Sequence, residues 1–267
     1  MADTNTTEPV LEIMDLAKYF GGLAAVKNFS ISLPRGVLWG LIGPNGAGKT
    51  TVFNLVTGIV PLTAGSILWN GEQIAGLDAY EVTRLGIART FQNIRLFQNL
   101  SVLDNVRIAY HPHAGYGLAD SMLRTRRFTD NEALLTEQAM EFLSIFKLEG
   151  IAGELAKNLP YGEQRRVEIA RALACKPTLL LLDEPAAGMN PREIVALMEL
   201  IHFIRDRFSL TILLIEHQMR VVMGICERIT VMDFGEVIAR GTPKEIQDNP
   251  TVVEAYLGKG VASRAAG

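Results

Sequence analysis

The chain has 267 residues, of which 29 are acidic and 26 basic, and a formal charge of −3. That balance lacks the strong basic excess of a protein that binds nucleic acid by displacing counterions, so no nucleic-acid partner is expected. Cys175 and Cys226 stand too far apart for a metal spacing, no apolar run approaches the ~18–20 residues of a membrane span, and the polar stretch from Met1 to Pro9 is unlike a secretory signal.

With 48% hydrophobic residues the length suits one large domain, or one core with a smaller lobe. Val10 to Leu16 alternates and predicts a first strand. Lys18-Tyr19-Phe20-Gly21-Gly22 reads as a turn with two aromatics, and Ala25 to Leu33 as a second strand. Gly36 to Ile42 is a short apolar run bounded by glycines, as a buried strand should be. After it comes Gly43-Pro44-Asn45-Gly46-Ala47-Gly48-Lys49-Thr50, which fits the G-x-x-x-x-G-K-[ST] pattern of a phosphate-binding loop. Three glycines let backbone N–H groups turn inward to phosphate oxygens. Lys49 brings a compact positive charge to the β- and γ-phosphates and Thr50 a hydroxyl to Mg²⁺, with Thr51 beside them in the nucleotide-binding set. A helix over Thr50 to Thr57 adds its N-terminal dipole, and Gly58 can end it.

Asn70-Gly71 within Ile67 to Ile74 predicts a hairpin. Asp78 can cap a helix to Leu85, with Gly86 as its stop, and Ile87 to Phe91 reads as a strand that delivers Gln92 to its end. Ser101 looks like a helix cap. Residues His111 to Asp130 carry no clear period and include Arg124, Arg126 and Arg127. They read as a long loop or poorly packed helices, the arginines forming a solvated face or a contact for lipid or a partner. Leu135, Ala139, Phe142, Leu143 and Phe146 fall on one helical face, so a helical lobe, about 92–164, is expected as an insertion into a core of about 8–91 and 165–240. Leu179 to Leu182 is a buried strand ending at Asp183-Glu184. Pro191 to Arg207 is an amphipathic helix, and Thr211 to Ile215 a strand ending at Glu216-His217. A hairpin turns at Phe234-Gly235, and the tail, 241–267, reads as a small helical appendix.

Parallel α/β sheets bind ligands at strand ends, and phosphoryl transfer to water needs a metal and a group that orients the water. Asp183 can hold the Mg²⁺ shell, and Glu184 can polarise the attacking water. His217 ends a strand too, where a lone histidine is usually a satisfied polar residue and less often a ligand contact. Phe20 can stack on a base, though an aromatic is more often core.

The order of these motifs resembles the ATP-binding-cassette (ABC) ATPases over residues 10 to 240. It runs Phe20, phosphate loop, Gln92, Leu159-Pro160-Tyr161-Gly162-Glu163-Gln164, Asp183-Glu184-Pro185, Ala187-Gly188-Met189-Asn190, His217. The resemblance implies an α/β fold: a P-loop NTPase core with a parallel sheet, an N-terminal antiparallel β-subdomain and an inserted α-helical subdomain. It also implies ATP and Mg²⁺ as cofactors. By likeness Phe20 stacks on adenine, Gln92 links Mg²⁺ to a transmembrane partner, Tyr161, Gly162 and Glu163 lie in the nucleotide-contacting signature, Glu184 is the catalytic base and His217 touches the γ-phosphate. The family further implies a head-to-tail dimer with a second ATPase chain. Two departures stand out: Pro160 and Tyr161 replace the usual Ser-Gly of the signature, and Asn190 stands where an aspartate is usual.

Within the family the chain is similar to ATP-binding subunits of branched-chain amino-acid importers. The likeness rests on Arg89 to Phe97, Glu184 to Gly188, Leu214 to Met219 and Asn249 to Gly258. It implies two permease subunits, a periplasmic binding protein as an indirect partner, and a peripheral place on the cytoplasmic face of the inner membrane. Urea or amide importers and envelope-lipid exporters share much of this pattern and remain alternatives. A soluble ABC protein serving ribosomes or DNA repair would carry two cassettes or a long coiled-coil insertion.

Overall fold

Loosely alternating burial along Pro9–Phe20 (β1) and Leu23–Pro34 (β2) makes a long antiparallel hairpin. The computed structural model describes residues 9–110 and 115–257. These divide into two compact units, the first formed by the chain up to Arg89 and from Thr178 on, the second by Thr90–Pro177.

In the first unit β1 and β2 join Ala64–Trp69 (β4) and Glu72–Gln73 (β5) in an antiparallel sheet of order β2-β1-β4-β5. A second sheet has the order β10-β9-β3-β8-β7-β6. Its parallel strands are Leu38–Ile42 (β3), Ile87–Arg89 (β6), Leu179–Asp183 (β7), Thr211–Ile215 (β8) and Arg228–Asp233 (β9). Glu236–Gly241 (β10) adds an antiparallel edge. Every residue of β7 and β8 is buried, which is why both read as continuous apolar runs: covered on both faces, a parallel strand needs no polar alternation. Helix Lys49–Val56 (α1) sends Val52 and Phe53 into a core shared with Phe29, Leu41, Leu181 and Met232. Burial of each such side chain contributes roughly 1.5–3 kcal/mol, so the loop before α1 is anchored at its exit.

Both two-residue turns have the backbone of a type I′ hairpin: φ is 48° and 82° at Asn70-Gly71, and 43° and 83° at Phe234-Gly235. Asp78 and Glu81 form the capping box of helix Ala79–Arg84 (α2).

The second unit holds helices Val102–Tyr110 (α3), Leu118–Leu123 (α4), Arg126–Ile145 (α5) and Tyr161–Ala174 (α6). Leu135, Ala139, Phe142, Leu143 and Phe146, the expected apolar face, are all buried. α4 buries no residue, in keeping with the aperiodic sequence there; residues 111–114 of that stretch lie outside the described residues. The first unit closes with Pro191–Phe208 (α7), Met219–Ile225 (α8), Pro243–Gln247 (α9) and Pro250–Leu257 (α10). The last part of the tail, 258–267, is likewise outside the described residues.

Three local expectations are corrected. Lys18, Tyr19 and Phe20 belong to β1, and the turn is Gly21-Gly22 alone, because Tyr19 and Phe20 pair with Ala24 and Leu23 across the hairpin. The strand at Ile87 stops at Arg89 and does not carry Gln92. α6 runs from Tyr161 to Ala174 and lies wholly in the second unit, whereas the sequence reading divides the chain at 164.

Candidate active site

Between β3 and α1 the chain turns through Gly43, Gly46 and Gly48 at φ of 149°, 81° and 99°. A Cβ at Gly43 would lie 2.0 Å from the Met232 carbonyl oxygen, and one at Gly48 2.3 Å from the Ala25 carbonyl oxygen. Neither place tolerates a side chain, since backbone atoms form both walls. Gly46 faces open space and needs only its left-handed backbone. Asn45, Gly46 and Thr50 are exposed while Gly43, Ala47 and Lys49 are buried, so the loop presents a rim over a fixed base. Ala47 fixes that base: its carbonyl accepts the Gly235 N–H at 3.1 Å and its own N–H reaches the Pro44 carbonyl at 3.2 Å.

The Lys49 ammonium crosses the loop, donating to the carbonyls of Gly43 at 2.7 Å and Pro44 at 2.9 Å. Burial pushes its pKa down, while the Glu184 and Asp183 carboxylates act in the opposite sense. The structure therefore gathers Lys49, Asp183 and Glu184 into one electrostatic neighbourhood. α1 opens with N–H groups that have no carbonyl one turn back, and such an end favours an anion. Thr50 and Thr51 sit in this first turn. From the tail, Tyr256 also reaches the loop: burial raises its pKa, and the Gly43 backbone N–H bonded to its oxygen lowers it.

Asp183 ends β7 and is buried. Its Oδ2 takes a 2.7 Å ion pair from Arg89. Arg89 also donates to Asn54 Oδ1 at 2.7 Å, and its guanidinium lies 5.4 Å from the Phe53 ring centre. The pair thus ties two strand ends to α1. The donor set suits Mg²⁺, a hard cation that takes oxygen ligands and usually keeps waters and substrate phosphates in its shell. Thr50 and Asp183 supply a hydroxyl and a carboxylate. Among the described residues no group of three or more His, Cys, Asp or Glu could hold a metal.

Glu184 follows at φ 48°, a left-handed backbone that costs a non-glycine residue ~1–2 kcal/mol. Its N–H donates to the Ile215 carbonyl at 2.8 Å, and its Oε1 lies 2.5 Å from His217 Nε2. Against a carboxylate acceptor that nitrogen carries the proton. Glu216 is buried beside them. Burial raises its pKa; the backbone N–H groups of Ala186, Gln218 and His217 lower it, and the Glu184 charge raises it.

Phe20 ends β1 with its ring exposed and Lys18 Nζ 5.0 Å from the ring centre. It pairs with Leu23, two residues before the Ala25 carbonyl that abuts Gly48. The first unit thus brings together Lys49, Asp183, Glu184 and His217 and carries Phe20 at the end of β1. Gln92, Tyr161, Gly162 and Glu163 belong to the second unit. There Pro160 occupies the N-cap of α6, and Tyr161 OH accepts from Arg165 Nη2 at 3.0 Å.

Sequence reasoning missed three groups. Arg165 and Glu168, fully buried, pair at 2.6 Å and clamp the Gln92 segment. Arg165 donates to the carbonyls of Phe91 at 2.7 Å and Gln92 at 2.9 Å, and Glu168 accepts the Arg95 N–H at 3.1 Å. An i, i+3 charge pair is ordinarily a surface feature of a helix, so the spacing by itself does not mark this one. Arg89 and Glu216 gave no local signal, because their partners lie 94 and 30 residues away.

A family model described as an ABC transporter matches residues 26–187. The chain belongs to the ABC transporter family. It is an ATP-binding ABC ATPase, and a second model, described as a branched-chain amino acid ATP-binding cassette transporter, matches residues 236–262. Among curated relatives, the high-affinity branched-chain amino acid transport ATP-binding protein LivG of Salmonella typhimurium is 45% identical over 95% of this chain and 99% of its own length. BraF of Pseudomonas aeruginosa, named for the same transport, is 43% identical over the same shares. The crystal structure of MJ1267, an ATP-binding cassette of an ABC transporter in its ADP conformation, superposes with a TM-score of 0.82. It is 30% identical and covers 95% of this ABC ATPase and 100% of that chain. The expected P-loop fold, with its antiparallel sheet and helices, is the one found.

Proposed function

We propose that this ABC ATPase drives a membrane importer of branched-chain amino acids from the cytoplasmic face of the inner membrane. The cargo rests on one observation, the match of residues 236–262 to the branched-chain amino acid model; the full-length similarity to LivG and BraF supports it. Among the described residues no helix is long and apolar enough to cross a membrane, so the pathway belongs to partners. These are two permease subunits, supplied by a periplasmic binding protein, and a second ATPase chain.

In this reading the loop N–H groups and Lys49 bind the β- and γ-phosphates, and Phe20 stacks on adenine. Thr50 and Asp183 would hold Mg²⁺, which when bound offsets charge on the phosphate oxygens. Glu184 takes a proton from the attacking water as its oxygen bonds to the γ-phosphorus. The bond from that phosphorus to the β–γ bridging oxygen breaks, and ADP departs with the electron pair. His217 exchanges Glu184 for a γ-phosphate oxygen when ATP is bound, which frees Glu184 for the water. Tyr161, Gly162 and Glu163, at the opening of α6, face the ATP of the second chain in a head-to-tail dimer. Phe97, 49% exposed, offers a contact for the permease.

Glu184→Gln tests the assignment of the base. The amide keeps an acceptor for His217 but cannot take a proton, so ATP binding should stay within about twofold while hydrolysis falls by roughly 10²-fold or more. Hydrolysis at the parent rate would remove Glu184 from that role.

A further inference from the structure

Glu216 sits one residue before His217 with 2% exposure, and both of its carboxylate oxygens are engaged. Oε1 accepts the Ala186 N–H at 2.7 Å. Oε2 accepts the N–H groups of His217 at 2.9 Å and Gln218 at 3.2 Å. Ala186 lies two residues beyond Glu184 in the loop after β7; His217 and Gln218 lie in the loop after β8. One side chain therefore bridges the two loops that carry the hydrolytic pair. Gln218 closes the same gap from the other side, its Nε2 donating to the Ala186 carbonyl at 2.9 Å. With the bond from Glu184 N–H to the Ile215 carbonyl, three contacts besides the Glu184–His217 pair fix the spacing of the loops. Glu184 needs such support, because its left-handed backbone persists only where the surroundings hold it.

We infer that Glu216, assisted by Gln218, is a positioning residue for ATP hydrolysis that locks the Glu184 loop to the His217 loop. Three N–H donors converge on it from two sides, and an ionised carboxylate is the side chain that offers acceptors on both oxygens and no donor. Glutamine at this place must turn its NH₂ group either to Ala186 N–H or to the N–H groups of His217 and Gln218, setting donor against donor. Aspartate is one methylene too short to span both loops. The phosphate loop is held elsewhere, through the Ala47 carbonyl that accepts the Gly235 N–H, so loss of the latch acts on turnover and spares nucleotide affinity.

The test is steady-state ATP hydrolysis by the full chain in its assembled transporter, with Glu216→Gln, Gln218→Ala and the double variant. Binding of a fluorescent ATP analogue and the thermal midpoint are measured on the same samples. The latch predicts that kcat falls about 10- to 100-fold in Glu216→Gln and three- to tenfold in Gln218→Ala. The KM for ATP and the analogue Kd stay within twofold, and the double variant loses less than the product of the two, because both act on one bridge. An unchanged kcat in folded Glu216→Gln would overturn the inference, as would a loss of kcat and ATP affinity in equal proportion. Should Glu216→Gln fail to fold, Gln218→Ala decides alone: a kcat equal to the parent's overturns the latch.

Discussion

At the residue scale the phosphate loop is a steric problem with two fixed walls. Gly43→Ala places a methyl group 2.0 Å from the Met232 carbonyl oxygen in a backbone conformation that alanine avoids. The expected result is loss of measurable ATP binding by equilibrium titration, whereas Gly46→Ala, facing open space at φ 81°, should retain weakened binding. The cysteines give a second check. Burial pushes the Cys226 thiol up to about 12, and burial also raises Cys175, opposed by Arg171. A raised thiol pKa means less thiolate at any pH below it, so Cys226 should react with a disulfide reagent at pH 8 roughly 10³-fold more slowly than a free thiol. Cys175 is half-buried and Cys226 buried, so two fast thiols are expected only after unfolding in guanidinium, and fast reaction of Cys226 in the native chain would contradict its burial. The phosphate loop was legible in the sequence because its chemistry is contiguous: glycines, lysine and threonine stand in one run. Glu216 and Arg89 were not, because each acts through a partner that the sheet topology brings from far along the chain.

At the element scale α7 shows why Asn190 is tolerated where an aspartate is usual. Asn190 Oδ1 accepts the N–H groups of Arg192 at 2.9 Å and Glu193 at 3.1 Å, while Glu193 Oε2 accepts the Asn190 N–H at 2.8 Å. With Pro191 in the first turn this is a complete capping box. Asn190→Ala should cost about 1 kcal/mol in urea unfolding, and Asn190→Asp should gain about 0.3–1 kcal/mol from the helix dipole. Capping residues such as Asp78 and Asn190 are local, so helix starts could be read closely from sequence. The long hairpin was harder. Phe20 looked like a turn residue because two glycines follow it, yet pairing across β1 and β2 carries the strand through it. The division at Arg89 and Thr178 was equally hidden, since α6 continues the second unit past the signature residues without a compositional break.

At the scale of the whole molecule the chain is an ATP-binding ABC ATPase. Its first unit assembles the phosphate loop, Asp183, Glu184 and His217, and nothing in that assembly encodes a cargo. The fold was legible because strand, loop and helix follow one another in the order that the P-loop core requires. The cargo was legible only through likeness of stretches such as Asn249 to Gly258, whose physical link to the phosphate loop is the contact of Tyr256 with Gly43. The most direct measurement is uptake of radiolabelled leucine by cells that carry either this chain or its Glu184→Gln form as the sole copy. The account predicts that leucine uptake collapses in the variant while the assembled transporter still binds ATP. Uptake equal to the parent's, with ATP hydrolysis by the complex abolished, would contradict the cargo and leave the motor serving another substrate.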